Sequence, residues 1–131
     1  MVIVDTSVWV DYLRGTDSPE AAWLDLELGR QRLGITDLIL CELLKGVRDD
    51  SAFVRLQREL SKLEIHCTGG VTLAVAAAMN HRMLRNRGKT VRKTMDGLIA
   101  SFCMAHGHAL LHSDRDFEPF EEVLGLQVIH P

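Results

Sequence analysis

Short apolar runs alternate along the chain with longer segments in which apolar residues recur every three or four positions. The first run, Val2 to Val4, has three β-branched residues and no polar alternation, which is typical of a strand buried on both faces. We expect further short strands at 31–35, 65–67, 108–112 and 126–129. Strands that alternate with helices predict an α/β fold, a three-layer sandwich with a central, mainly parallel sheet.

Capping residues and glycines mark the predicted helices. Thr6 or Ser7 begins the first helix and Gly15 ends it, and Pro19 occupies the permitted first turn of the second helix. Thr36 or Asp37 caps the third helix. Apolar spacing predicts the later helices at 38–44, 51–63, 73–87 and 94–106, with one or two turns over 117–123.

Length and composition limit the class of protein. The 131 residues are the size of one ordinary domain, so we expect a single domain over 1–131, and a hydrophobic fraction of 47% is typical of a globular protein. The three cysteines are widely spaced in apolar surroundings, which predicts buried thiols in a reducing cytosol. Neither a signal peptide nor a run long enough to span a bilayer is visible, so we expect a cytoplasmic protein without a membrane partner.

Four acidic residues occupy positions that suggest chemistry. Asp5 and Asp114 each follow a predicted strand, Asp96 lies in the first turn of a helix, and Glu42 lies inside an otherwise apolar helix. Because open α/β sheets bind their ligands at the carboxyl ends of the strands, the four carboxylates would converge there if the helices reach the same edge.

Each acid also has a purely structural explanation. The two acids that follow strands could cap the next helix, as could Asp116. Asp96 could simply complement the helix dipole. Glu42 could pair with Lys45 or Arg48 on the helix surface.

A cluster of carboxylates requires a cation. Two carboxylates ~4 Å apart repel by about 4 kcal/mol at an effective dielectric constant near 20. Within these motifs we expect no lysine or histidine at a matching position, and oxygen-only ligands favour Mg²⁺ or Mn²⁺ over zinc. Such ions position phosphates and activate water, so the pattern favours hydrolysis of a phosphodiester.

Four segments in series resemble the PIN-domain ribonucleases and, among them, the VapC-type toxins of toxin–antitoxin modules. They are Val-Asp-Thr-Ser-Val-Trp at 4–9, Glu-Leu-Leu-x-Gly at 42–46, Thr-Val-Arg at 90–92 followed by Asp-x-x-Ile-Ala at 96–100, and His-Ser-Asp-x-Asp-Phe at 112–117. The resemblance extends over essentially the whole chain. Ser113 departs from the basic or asparagine residue that is common at its position.

This resemblance implies a PIN-like fold, a catalytic and metal-binding quartet, and an RNA substrate such as transfer or ribosomal RNA whose hydrolysis would inhibit translation. The quartet would be Asp5, Glu42, Asp96 and Asp114. Asp116 would be an accessory acid near the metal or a helix cap, and Ser7 would orient the site. The resemblance also implies a homodimer and a cognate VapB-type antitoxin that covers the apolar helices around 38–63 and blocks the metal site.

A basic run accompanies the acids although the net charge is −3. Between 82 and 93 there are six basic residues and no acid. Arg92 and Lys93 lie closest in sequence to Asp96, so we expect them to contact substrate phosphates. For Arg82 and Arg85 a solvated helix face is an equally good explanation.

Other interpretations fit less well. His106, His108 and His112 resemble a metal-binding tract, but they straddle a helix end and a strand and do not share one face. No glycine-rich loop follows the first strand, which excludes a common nucleotide-binding motif. The alternative function is a non-catalytic PIN-like module that binds RNA or protein, and the presence of all four acids argues against it.

Overall fold

The computed structural model describes residues 1–131, and its centre is an all-parallel sheet of four short strands. In chain order these are β1 Val2–Val4, β2 Leu33–Thr36, β3 Glu64–His66 and β4 Ala109–Leu111, and the sheet order is β3-β2-β1-β4. Seven α-helices flank the sheet: α1 Thr6–Arg14, α2 Pro19–Glu27, α3 Asp37–Lys45, α4 Asp50–Leu60, α5 Val71–Asn86, α6 Thr94–His106 and α7 Glu118–Leu124. This confirms the predicted three-layer α/β class.

The core surrounds β1 and β4 at the middle of the sheet. Ile3 and Val4 are completely buried, as are Leu110 and Leu111 in the register-paired strand β4. Burial of the whole of β1 agrees with its run of β-branched residues, since such a strand has no solvent face. No helix is long and apolar enough to cross a membrane.

Two neighbouring strands end in residues that cap the next helix. The side chain of Asp5 caps α1 by accepting a hydrogen bond from the Ser7 N–H at 3.0 Å, and Thr36 caps α3 by accepting one from the Ile39 N–H at 3.1 Å. The Asp5 N–H also donates to the carbonyl of Leu111 at 2.9 Å. This bond extends the β1–β4 ladder and fixes Asp5 beside the carboxyl end of β4.

The predicted strand at 126–129 is reduced to one bridge between Val128 and Leu110. Gly125 ends α7 in the left-handed conformation. The N–H of the next residue, Leu126, then donates to the carbonyl of Phe120 inside the helix. Only Gln127 and Ile129 are then left to exchange backbone hydrogen bonds with Leu110. The prediction of a full strand is therefore wrong in extent.

The prediction of three buried thiols is correct for Cys103 only. Cys41 and Cys67 are exposed, and all three cysteines are free. Helix α3 has more apolar residues than its core-facing side can bury, and Cys41 lies away from the buried positions Ile39 and Leu43. Burial raises the pKa of Cys103 to about 12, so this thiol is chemically inert at neutral pH.

Candidate metal and active site

Ser7 connects the carboxyl ends of the two central strands. Its hydroxyl donates to Oδ2 of Asp5 at 2.6 Å and accepts a hydrogen bond from the backbone N–H of Ser113 at 3.1 Å. Because Ser113 follows β4 and precedes Asp114, the hydroxyl ties the segment carrying Asp114 to Asp5. The two acids predicted to share one edge of the sheet do share it.

Three aspartates form a close group at this edge. One carboxylate oxygen each from Asp96, Asp114 and Asp116 lies within 4.8 Å of the others. Asp96 is 5% exposed and its Oδ2 has no hydrogen-bond partner. Leaving a buried carboxylate oxygen unpaired is costly, so this atom is ready to accept a cation.

Asp114 and Asp116 are positioned by a short 3₁₀ turn at Arg115–Phe117. Oδ1 of Asp114 accepts a hydrogen bond from the Asp116 N–H at 3.0 Å, which caps the turn and leaves Oδ2 of Asp114 facing the group. Asp114 therefore caps the 3₁₀ turn that precedes α7 and not the predicted helix itself, which has no side-chain cap. This capping is compatible with a role in cation binding because the two oxygens make different contacts.

Glu42 reaches the site from α3. It is half-buried, and its Oε1 accepts a hydrogen bond from the Thr6 hydroxyl at 2.8 Å. It makes no ion pair with Lys45 or Arg48, so the surface-pair explanation is wrong. Thr6 was expected only as a possible start of the first helix and not as a site residue, although its place between Asp5 and Ser7 is a signal that could have found it.

Lys93 supplies a cation that we did not expect from the motifs. Its Nζ lies 2.9 Å from Oδ2 of Asp114, 3.5 Å from Oδ2 of Asp116 and 3.8 Å from Oδ2 of Asp96. The expectation that no lysine matches the acids is therefore wrong. Lys93 is three residues before Asp96, and its long side chain spans the distance to the acids that follow β4.

The surroundings of the acids shift their pKa values in different directions. Burial raises the pKa of Asp5 to about 6, and the charge of Glu42 adds to this although Ser7 opposes it. Burial raises the pKa of Asp96 to about 7, reinforced by the charge of Asp5 and opposed by Lys93. For Asp114 burial acts in the same direction, but the backbone N–H of Asp116 and the ammonium of Lys93 outweigh it and lower the pKa.

These residues fit a hard divalent cation. The donor atoms are carboxylate oxygens, and Asp96 contributes a buried oxygen without a hydrogen-bond partner; such donors suit Mg²⁺, Mn²⁺ or Ca²⁺ better than softer metals. The histidines form no comparable group. His112 packs against Phe117, whereas His106 and His108 contact Phe102.

The basic run lies on the end of α5 and in the loop that leads to α6. Arg92 is exposed and makes no ion pair. Arg82 and Arg85 line a cavity of about 460 Å³ between α5 and α6, together with Gly97, the residue after Asp96. None of the five acids lines this cavity.

A parallel α/β sheet with three clustered aspartates at its carboxyl edge, and with Asp5 and Glu42 close enough to raise the pKa of Asp96, is the arrangement of a domain that can hold a divalent cation there. The sequence model of the PIN domain matches residues 2–123, and the chain belongs to the PIN-domain family. It is 32% identical over 130 residues to the "VapC ribonuclease Mb1587" of Mycobacterium bovis and to "Ribonuclease VapC11" of Mycobacterium tuberculosis, covering 97% of this chain and 96% of each relative.

Solved structures show the same fold. FitAcB from Neisseria gonorrhoeae matches with a TM-score of 0.77 at 22% identity over 100% of this chain and 98% of that chain. VapBC2 from Rickettsia felis, bound to a DNA fragment of its promoter, matches with a TM-score of 0.76 at 20% identity over 98% of both chains. These matches confirm the predicted PIN-like architecture.

Proposed function

We propose that this chain is a metal-dependent endoribonuclease that acts as the toxin of a VapBC-type toxin–antitoxin pair. The observation that carries the proposal is the close group of carboxylate oxygens from Asp96, Asp114 and Asp116, in which the buried Oδ2 of Asp96 has no hydrogen-bond partner. Family membership and the names of the relatives that are 32% identical support the reaction, since those relatives are named ribonucleases.

The catalytic quartet would be Asp5, Glu42, Asp96 and Asp114, with Asp116 as an accessory ligand. Oxygen-only donors favour Mg²⁺ or Mn²⁺ as the ion. When bound, the ion would activate a water and offset the charge on an RNA phosphate. Because the pKa values of Asp5 and Asp96 are raised to about 6 and about 7, cation binding near neutral pH would release protons from these carboxyls.

Other residues would orient the site and the substrate. Ser7 holds the Asp5 carboxylate, and Thr6 holds that of Glu42. Arg92 has no carboxylate partner, which leaves its guanidinium available to a phosphate of the RNA, and Lys93 lies beside the acids. Arg82 and Arg85, at the cavity beside Gly97, would extend this path along the RNA backbone.

We expect the substrate to be transfer or ribosomal RNA, because cutting either one stops translation. Because these RNAs work in the cytoplasm, we expect the protein to act there. Three free cysteines agree with a reducing compartment of this kind.

A cognate antitoxin and a second copy of this chain are the expected partners. Among the structural neighbours are a VapBC complex from Rickettsia felis and a toxin–antitoxin complex from Klebsiella pneumoniae. On this chain, Phe53 and Val54 of α4 are exposed apolar residues within the segment 38–63 that we assign to the antitoxin. These two side chains would supply apolar contacts to the antitoxin.

Cleavage of RNA by the purified protein, freed of any antitoxin, tests the reaction. We expect discrete cuts by the wild type with Mg²⁺ or Mn²⁺, no cuts with a chelator, and a loss of about 100-fold or more in Asp96→Asn, since that acid would hold the reacting centre. Asp50→Asn is the matched control, because Asp50 is also an acid in the first turn of a helix but is exposed. Equal activity of Asp96→Asn and wild type would refute the assignment. If several RNAs are bound but remain intact, the non-catalytic binding module is the better account.

Induction of the chain in growing cells tests the toxin role. We expect growth to stop with the wild type and with Asp50→Asn but not with Asp96→Asn, and co-expression of the antitoxin to restore it. If the wild type cuts RNA in vitro but cells that express it grow normally, the toxin role is excluded and the chain is better described as an RNA-processing nuclease.

A further inference from the structure

Lys93 is the one basic side chain that pairs with the acidic group. Its Nζ is within 4.0 Å of an oxygen of each of the three clustered aspartates, with the shortest contact, 2.9 Å, to Asp114. These are the same three side chains whose oxygens lie close enough together to hold a metal ion. The ammonium and a divalent ion would therefore compete for one set of oxygens.

The position of Lys93 allows its side chain to leave. It is the residue before α6, in an extended conformation, and its side chain is 55% exposed. The ammonium can move into water without disturbing the core, because the lysine side chain is more than half exposed and does not belong to the core. A divalent ion among the aspartates would also repel a neighbouring ammonium.

We propose that Lys93 is the resident counter-cation of the metal-free site and that a divalent ion displaces it, which frees its ammonium for a substrate phosphate. The proposal rests on the function proposed above. It gives Lys93 two successive contacts, first with the aspartates and then with RNA. Metal loading and RNA binding are thereby coupled through one side chain, because only the displaced ammonium is available to the phosphate.

The affinity for Mn²⁺, measured from the electron paramagnetic resonance signal of the free ion, tests the competition. Lys93→Met removes the charge and keeps a side chain of similar length, so we expect Mn²⁺ to bind about fivefold more tightly, on the scale of an exposed ion pair. Lys89→Met is the matched control, since Lys89 is an exposed lysine of the same basic run that pairs with Glu122 at 3.6 Å, outside the acidic group. Unchanged or weaker binding in Lys93→Met would overturn the proposal.

The rate at which an acylating reagent modifies Lys93, followed by mass spectrometry of the wild type, tests its release. Without a metal ion, the contacts of Nζ with the three aspartates hold the amine against the acids and restrict its access to the reagent. We expect Mg²⁺ to accelerate modification of Lys93 and to leave that of Lys89 unchanged. A Lys93 rate that Mg²⁺ leaves unchanged or lowers would contradict the displacement.

The two proposals fail in different ways. A wild type that binds no Mn²⁺, or an Asp96→Asn variant that binds it as well as wild type, overturns both. Binding by the wild type that is lost in Asp96→Asn, together with no gain in Lys93→Met, overturns only the role of Lys93.

Discussion

The hydroxyl of Thr6 donates a 2.8 Å hydrogen bond to Oε1 of Glu42, and this bond ties the start of α1 to the middle of α3. Glu42 makes no ion pair, so Thr6 is the residue that orients its carboxylate. Each residue of the segment 5–7 thus contributes to the site. Asp5 supplies an acid, Thr6 supports Glu42, and Ser7 links Asp5 to the end of β4.

Thr6→Val removes this hydroxyl while it keeps the size of the side chain. We expect RNA cleavage to fall by about tenfold, the upper range for the loss of one hydrogen bond. Thr6→Ser restores the donor and is expected to restore most of the activity. The measurement is kcat/KM for cleavage, with circular dichroism to confirm the fold, and full activity in Thr6→Val would show that Glu42 needs no support.

Ser7→Ala removes the hydroxyl that donates to Asp5, a hydrogen bond that lowers the pKa of this buried acid. The pKa of Asp5 should therefore rise further, more of the acid should be protonated at neutral pH, and Mn²⁺ should bind about tenfold more weakly. Ser51→Ala is the matched control, because Ser51 donates in the same way to Asp49 at the exposed start of α4. Equal loss in both variants would mean that helix capping, and not the site, explains the effect.

The raised pKa values of Asp5 and Asp96 predict how stability depends on pH in the presence of a chelator. Both values, about 6 and about 7, lie above the ordinary 3.8, so the protonated carboxyls stabilise the fold. This contribution is complete below about pH 4 and is lost as the pH rises through 6 and 7.

Asp96→Asn removes one of these charges. We expect this substitution to raise the free energy of unfolding, measured without metal, and to do so by about 1–3 kcal/mol more at pH 8 than at pH 4.5. The size follows because one unit of pKa shift corresponds to about 1.4 kcal/mol. Urea unfolding at the two pH values measures the difference, with Asp50→Asn as the control at an exposed first turn. A gain that is the same at both pH values would contradict the burial argument.

The sequence predicted the parallel sheet and the edge at which the acids meet. The run Val2–Val4 has the composition of a strand covered on both faces, and an acid directly after such a strand must lie at its carboxyl end. Asp5 and Asp114 could therefore be assigned to one edge from the sequence, whereas Asp96 and Glu42 were expected there only if their helices reach that edge. The identity of the metal and the roles of these residues stay predictions that the experiments above test.

Contacts that depend on the reach of long side chains were not predictable in this way. The place of Lys93 among the acids depends on the conformation of four methylene groups, which no spacing rule specifies. The exposure of Cys41 depends on which of several apolar residues of α3 the core has room to accept. Periodicity identifies a buried face but does not say which apolar residues remain outside it.

Helix α5 carries a row of exposed apolar residues that supports the proposed homodimer. Val71, Val75, Met79 and Met83 are each more than half exposed and recur every four residues along one side of the helix. We expect Met79→Glu to convert a dimer to a monomer in sedimentation analysis, because an unpaired charge cannot be buried at the interface. Leu26→Glu, at an isolated exposed leucine on α2, should leave the mass unchanged. A Met79→Glu variant that remains dimeric would place the interface elsewhere.

The position of Mn²⁺ in crystals of the wild type, located by its anomalous scattering, tests the central claim most directly. We expect the ion within about 2.2 Å of Oδ2 of Asp96 and in contact with Asp114, as oxygen ligands of such ions require. The Nζ of Lys93 should then lie farther from these two aspartates than the present 3.8 Å from Asp96 and 2.9 Å from Asp114. Well-ordered crystals in which Mn²⁺ is bound only at other carboxylates, with Asp96 and Asp114 unliganded, would contradict the account.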